Sequence, residues 1–338
     1  MKKTFKSGLI VLIVLILVVI GVSILGTFAQ GKITNNFNFP TQNASTGKMY
    51  SATPGVKAAK EFRKQYIGAV YLEGTIEASN SSYNQKWLMN TINQLKNDEN
   101  CAGIAMYINS PGGAVYQADE VYRALQDFRT TGRKIYVYQG PMAASGGYYI
   151  SCAGNTIYAN RNTMTGSIGV ICGQSIDLTG LFERLGIKSE TIHSGKNKNM
   201  MNYNEPVTQE QRQIMQSICD ECYEQFVSIV VGQRALTLEK GYEIADGRIY
   251  TSKQALKLGL IDRIDSWDNM LLDFAESIDK PGINVKTFKF ERKQSMMEIM
   301  MSKAADIKRT EAAAQLGLPV CVLEDWENGS MTPMYLYK

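Results

Sequence analysis

From Leu9 to Leu25 the chain reads LIVLIVLILVVIGVSIL without one charged residue. A helix that is apolar on every side has no face to turn toward water, so this tract belongs in lipid. With its flanks it runs from Gly8 to Ala29, 22 residues, which as a helix span about 33 Å and reach across a hydrocarbon core. Lys2, Lys3 and Lys6 precede it, and the positive-inside rule sets that end in the cytoplasm and the rest outside. A cleavable signal peptide is the rival reading, but its apolar core is usually only about 7 to 15 residues long. Gln30 to Thr53 is rich in Asn, Thr, Ser and Gly and reads as a tether. The expected organisation is a cytoplasmic N-terminus and transmembrane anchor over 1–29, a tether over 30–65, a catalytic domain over 66–275, and an oligomerisation or tail segment over 276–338.

Beyond the tether, short apolar runs alternate with helical patterns, which predicts an α/β domain of repeated β-α units with a largely parallel sheet. Ile67–Leu72, Ile104–Ile108 and Ile135–Tyr138 read as strands. Trp87, Leu88, Ile92 and Leu95 predict a helix over Gln85–Leu95. Ala118, Val121, Tyr122, Leu125 and Phe128 predict another that ends near Gly132. Thr208-Gln209-Glu210-Gln211 fits a capping box opening a long helix. Thr251 or Ser252 caps a shorter one, with Gly259 at its C′ position. No internal repeat is visible.

A net charge of +4 is small for 338 residues, and no Lys/Arg cluster interleaved with aromatics marks a nucleic-acid groove. Six cysteines stand at 101, 152, 172, 219, 222 and 321. Cys219-Asp220-Glu221-Cys222 has C-x-x-C spacing but falls on a helical stripe with Ile214, Met215, Ile218, Phe226 and Ile229. A redox pair belongs at a strand-to-helix turn, and zinc needs two further ligands that are not nearby in sequence. Buried structural thiols are therefore expected, and no cofactor or metal is assigned.

The run Gly140-Pro141-Met142-Ala143-Ala144-Ser145-Gly146-Gly147-Tyr148-Tyr149-Ile150 carries the chemistry. Its small residues permit a tight turn from strand into helix, with the Ser145 hydroxyl at the mouth of that turn. Acyl transfer then needs a base. The single histidine, His193, has no clear acidic partner beside it, so a Ser-His-Asp triad is not expected. The segment Ser194-Gly195-Lys196-Asn197-Lys198-Asn199 offers two lysines for a Ser-Lys dyad. An ordinary lysine is protonated at neutral pH. Making it a base disfavours the charged form by ~4 kcal/mol, attainable by burial without a carboxylate, and 193–204 contains no Asp or Glu.

Four blocks, Asn109-Ser110-Pro111-Gly112-Gly113, Met142 to Ile150, Thr165-Gly166-Ser167-Ile168-Gly169-Val170 and Asp246-Gly247-Arg248-Ile249-Tyr250, taken in this order with the lysine segment, resemble short-form bacterial signal peptide peptidase A. The resemblance covers roughly 66–265. It implies a crotonase/Clp-protease-like fold and a membrane-anchored Ser-Lys endopeptidase acting on signal-peptide remnants and other short hydrophobic peptides. It implies Ser145 as nucleophile and, through the pattern Ser-Gly-x-x-Lys, Lys198 rather than Lys196 as base. The matching oxyanion-hole amides are those of Gly113 and Gly146, and Ser167 matches a position that orients the lysine. A homo-oligomer, octameric in relatives, follows from the same resemblance, with the lysine of one subunit completing the site of its neighbour. A crotonase-type acyl-CoA enzyme and a catalytically silent membrane scaffold are the alternatives. The tail Met334-Tyr335-Leu336-Tyr337-Lys338 has the apolar character of an extended peptide that such a groove accepts.

Overall fold

The computed structural model describes residues 49–51 and 64–292. The tract 9–25, most of the tether, Cys321 and the tail 334–338 lie outside them. Nine strands among the described residues form one mixed sheet: β1 (Met49–Ser51), β2 (Tyr66–Glu73), β3 (Cys101–Ser110), β4 (Lys134–Ala144), β5 (Thr156–Ala159), β6 (Met164–Gly166), β7 (Ile249–Thr251), β8 (Arg263–Ile264) and β9 (Asn284–Phe288). Their order is β1-β9-β2-β3-β4-β5-β8, with β6 paired to the end of β4 and to β7. All pairings are parallel except β1 with β9 and β6 with β7. The sheet thus draws β9 from beyond 275 and β1 from the segment assigned to the tether, because both satisfy an otherwise open edge beside β2.

Period-two alternation divides the strands between two cores. Ile135 and Val137 of β4 face one side with Val70, Leu72, Ile104 and Met106; Tyr136 and Tyr138 face the other with Ile67, Ala69 and Ala105. The first side is covered by α1 (Gln85–Asn97), α2 (Val115–Arg129) and α3 (Gly146–Ser151), through residues that include Leu88, Ile92, Leu125 and Tyr148. The second is covered by α8 (Trp267–Ser277), where Phe274 stacks on Tyr136 at 4.4 Å between centroids. Between these lie α4 (Thr179–Leu185), α5 (Gln209–Arg234), α6 (Leu238–Ile244) and α7 (Ser252–Lys257).

The expected caps are present: Thr208 and Thr251 each complete a capping box. Asn84, which the pattern did not single out, caps α1 by accepting from the Trp87 amide. Gly259 follows α7 at φ +77°, a conformation that costs a residue with a Cβ more than it costs glycine. The apolar stripe of α5 is only half used: Phe226, Val227 and Val230 are buried, whereas Ile218 is exposed and Ile214 and Met215 are partly so. The N-terminal half of α5 overhangs the body, and the irregular segment 167–207 lies with it. The expectation of buried thiols holds for Cys101 and Cys152 and fails for Cys172, Cys219 and Cys222, which are half-buried because they sit on this overhang. Among the described residues no helix is long and apolar enough to cross a membrane.

Candidate active site

Strand β4 and helix α3 meet at Ser145, whose backbone stands at φ 52°, ψ −121°. A non-glycine residue held there stores about 1–3 kcal/mol of strain and persists only where its surroundings over-determine it. They do so from both sides. The Ser145 amide donates to the Gly166 carbonyl at 2.8 Å, and its own carbonyl accepts from Tyr149 at 2.9 Å. Helix α3 is anchored in turn by the Tyr148 hydroxyl on the Leu260 carbonyl (2.8 Å) and the Tyr149 hydroxyl on Asp119 Oδ1 (2.7 Å). The two tyrosines of the serine motif are its anchors, a role not read from the sequence, for which their aromatic size beside Gly146-Gly147 is the available signal. The result is a half-exposed serine lifted off a strand end onto a helix N-terminus, the geometry of a nucleophile turn.

The Asn109–Gly113 block closes against this turn. A Cβ at Gly112, where φ is +105°, would stand 2.7 Å from Ser145 Cβ, 3.0 Å from its Oγ and 2.8 Å from the Gly146 nitrogen. Only glycine permits that approach. Gly113 is bridged to Ile76 through the bonds of its neighbours: Ile76 N–H donates to Gly112 O (2.9 Å) and Ala114 N–H to Ile76 O (2.8 Å). In a parallel bridge the central residue's own amide points away from that partner, which turns Gly113 N–H toward the serine turn. Its nitrogen lies 3.4 Å from where a Cβ of Gly146 would be. The Gly146 amide is the first of α3 and has no intrahelical acceptor. The two amide nitrogens and the serine hydroxyl therefore stand close together around Gly112.

Ser167 leaves β6 beside Ser145, since Ala144 and Gly166 are paired in register. It also has positive φ, 50°, and its amide donates to the Arg248 carbonyl at 2.8 Å. The Asp246–Tyr250 block supplies this backing. Arg248 Nε pairs with Asp246 Oδ2 at 2.7 Å, and the Tyr250 hydroxyl donates to Ile244 O at 2.8 Å.

Lys198 is exposed, its amide bonded to Gly195 O at 3.1 Å. Among the described residues no hydrogen bond or ion pair joins its side chain to Ser145 or Ser167. Lys196 is paired with Glu210, whose carboxyl is held below its usual range by that lysine and by Asn197. The carboxylate-free segment 193–204 thus acquires carboxylates from just outside it, because the chain turns back on the start of α5. Glu205 likewise meets Asn199 Nδ2 at 2.8 Å. Asn199, buried beside Lys198, also accepts from Asn202 at 2.7 Å and is the hub of this loop, an organising role that its polarity gave no sign of in sequence. His193 is exposed against the Gly195 carbonyl. No group of potential metal ligands occurs among the described residues.

A strained serine at a strand-to-helix turn, with two glycine amide nitrogens close by, fits a serine hydrolase on an α/β scaffold. Residues 127–280 match the model of Peptidase family S49. The chain is 34% identical over 186 residues to a protein of Enterococcus faecium named as signal peptide peptidase SppA, covering 55% of this chain and 54% of that one. It is 41% identical over 157 residues to a protein of Synechocystis named as a protease, covering 46% and 56%. To a Methanocaldococcus jannaschii protein named as a protease it is 28% identical over 288 residues, covering 84% and 86%. The chain spans about half the length of the first two relatives. The likeness read from the motifs, to serine peptidases of the signal peptide peptidase A type, holds, and it rests on residues 127–280 and on these relatives.

Proposed function

We propose that the chain is a membrane-anchored serine endopeptidase, on a crotonase/Clp-protease-like fold, that cleaves signal-peptide remnants and other short hydrophobic peptides outside the cytoplasm. The observation that carries the chemistry is the Ser145 turn, with Gly112 in contact behind it and the Gly113 and Gly146 amides beside it. Ser145 Oγ attacks the peptide carbonyl while a neutral Lys198 amine takes its proton. The carbonyl oxygen, now an anion, is received by the two amides. Lys198 returns the proton to the leaving amine and then activates the water that hydrolyses the acyl-enzyme. The Ser167 hydroxyl, which both accepts and donates, holds the amine in either state.

A neutral lysine needs burial, and the exposed position of Lys198 within one chain favours its use by a neighbouring copy. Ile171 and Ile192, 91% and 95% exposed, lie on the same overhang and favour a homo-oligomer, a ring of eight on the likeness to relatives. The tract 9–25 supports the anchor, and the name given to the Enterococcus relative, signal peptide peptidase, supports the substrate class. A fluorophosphonate probe tests the reading: mass spectrometry should find it on Ser145. Labelling elsewhere, or none on a protein that hydrolyses peptides, overturns it.

A further inference from the structure

Helix α5 carries Cys219 and Cys222 one turn apart, and the segment that leaves Ser167 runs along it. The Cys219 thiol donates to Val170 O at 3.2 Å. A Cβ at Gly173 would touch the Met201 and Met215 methyls at 3.4 and 3.6 Å. Cys172 and Cys219 line one cavity of about 480 Å³, together with Met201, Met215 and Arg212. Cys172 follows Val170 by two residues, which brings it alongside this turn of α5, and its thiol interacts electrostatically with those of Cys219 and Cys222. Three sulfurs from two distant stretches of chain thus meet at a half-buried, accessible place, unlike Cys101 and Cys152, which are sealed in the core. Burial, with the neighbouring thiols adding to it, pushes Cys172 up to about 12.

We propose that Cys172 and Cys219 form a reversible disulfide that clamps the segment after Ser167 onto α5. The oxidant is a small-molecule disulfide, RS–SR. A Cys219 thiolate attacks one of its sulfurs and expels RS⁻, leaving a mixed disulfide. Cys172 then loses its proton to water, attacks the Cys219 sulfur and expels the second RS⁻. The net change is two protein thiols and RS–SR to one protein disulfide and two RSH. Cys172 is the resolving thiol, because a group held protonated is a poor first attacker. The bond closes a loop over residues 172–219 that contains α4 and Lys198, so the oxidised loop samples fewer conformations. The chemistry stands independently of the peptidase reading; only an effect on turnover rests on it.

The purified full chain is incubated with oxidised glutathione, alkylated, digested without reductant and mapped by mass spectrometry. The expected product joins the Cys172 and Cys219 peptides. It persists in Cys222→Ser, is absent in Cys172→Ser and Cys219→Ser, and reverses with dithiothreitol. Limited proteolysis within 172–219 should slow several-fold on oxidation of the wild type and stay unchanged in Cys172→Ser, which makes the readout independent of activity. Glutathione caps that never resolve, a Cys219–Cys222 bond with Cys172 alkylated, or zinc retained on the three thiols against alkylation would each overturn the proposal.

Discussion

Ser145 and Lys198 occupy surroundings of opposite kind. Around Ser145 the supports are packed in: α3 is wholly buried, its tyrosines are hydrogen-bonded, and the serine backbone is held from β6 on one side and α3 on the other. Around Lys198 the chain is irregular, α4 buries none of its residues, and large apolar side chains face outward. Strain can be stored only where packing over-determines it, so the strained nucleophile belongs to the first region. The second has apolar surface in excess of its own packing, as a surface made to be covered has. On the proposed function, the first region supplies its half of the chemistry within a single chain, and the second draws on a neighbouring copy.

The largest effect that tests this contrast is the loss of either member of the proposed dyad. Ser145→Ala and Lys198→Ala should each lower kcat/KM by roughly 10⁴-fold or more, with the double variant no worse, because nucleophile and base act as a unit. Lys196→Ala, which loses only an exposed pair with Glu210, should stay near wild type. Mixing the two inactive variants sharpens the comparison. If the lysine comes from a neighbour, reassembly at equal amounts should restore roughly a quarter of the sites by random pairing around a closed ring; no recovery in verified mixed assemblies would mean that both residues serve within one chain.

Gly112→Ala acts wholly inside the buried region. Its Cβ would stand 2.7 Å from Ser145 Cβ at a positive φ, and a displacement of about 1 Å costs on the order of 10²-fold in rate. Steady-state kinetics should show that loss in kcat, with assembly by sedimentation unchanged. Ile171→Asp combined with Ile192→Asp should do the reverse. Sedimentation should detect dissociation and peptide hydrolysis should fall with it, while thermal unfolding of the body shifts little, since these side chains are exposed in the single chain. A large drop in unfolding temperature would instead make the overhang part of the body.

The smallest effect concerns pH. Burial raises the Asp98 carboxyl, but hydrogen bonds from Tyr66 and Asn100 outweigh it and hold the group below its ordinary value of 3.8. A carboxyl depressed in the folded state contributes stability above its unfolded pKa and loses it as pH falls through the folded one. Tyr66→Phe removes the 2.5 Å bond to Asp98. It should cost about 1 kcal/mol at neutral pH, with the gap to wild type narrowing below pH ~4; urea unfolding at both pH values measures it.

Much of this was legible in sequence. Strands and caps were, because period and cap chemistry are local: β2, β3, α1 and the two capping boxes fall where side-chain pattern and hydrogen-bonding type put them. The serine turn was, because small residues between an apolar strand and an apolar helix leave few other conformations. The half-used stripe of α5 was not, since periodicity marks a face that is able to be buried and says nothing about whether a neighbour reaches it.

What sequence alone determined, then, is the central strands and the capped helices with strong periodicity, together with the residue types carrying chemistry, all governed by contacts a few residues apart. The tertiary structure alone decided which distant pieces meet: Gly112 against Ser145, Arg248 behind Ser167, Glu210 on Lys196, Cys172 beside Cys219. Those meetings follow from parallel register and from the crossing of helices over a shared core. Both are settled by how apolar surface is shared across the whole body, which no stretch of sequence holds by itself.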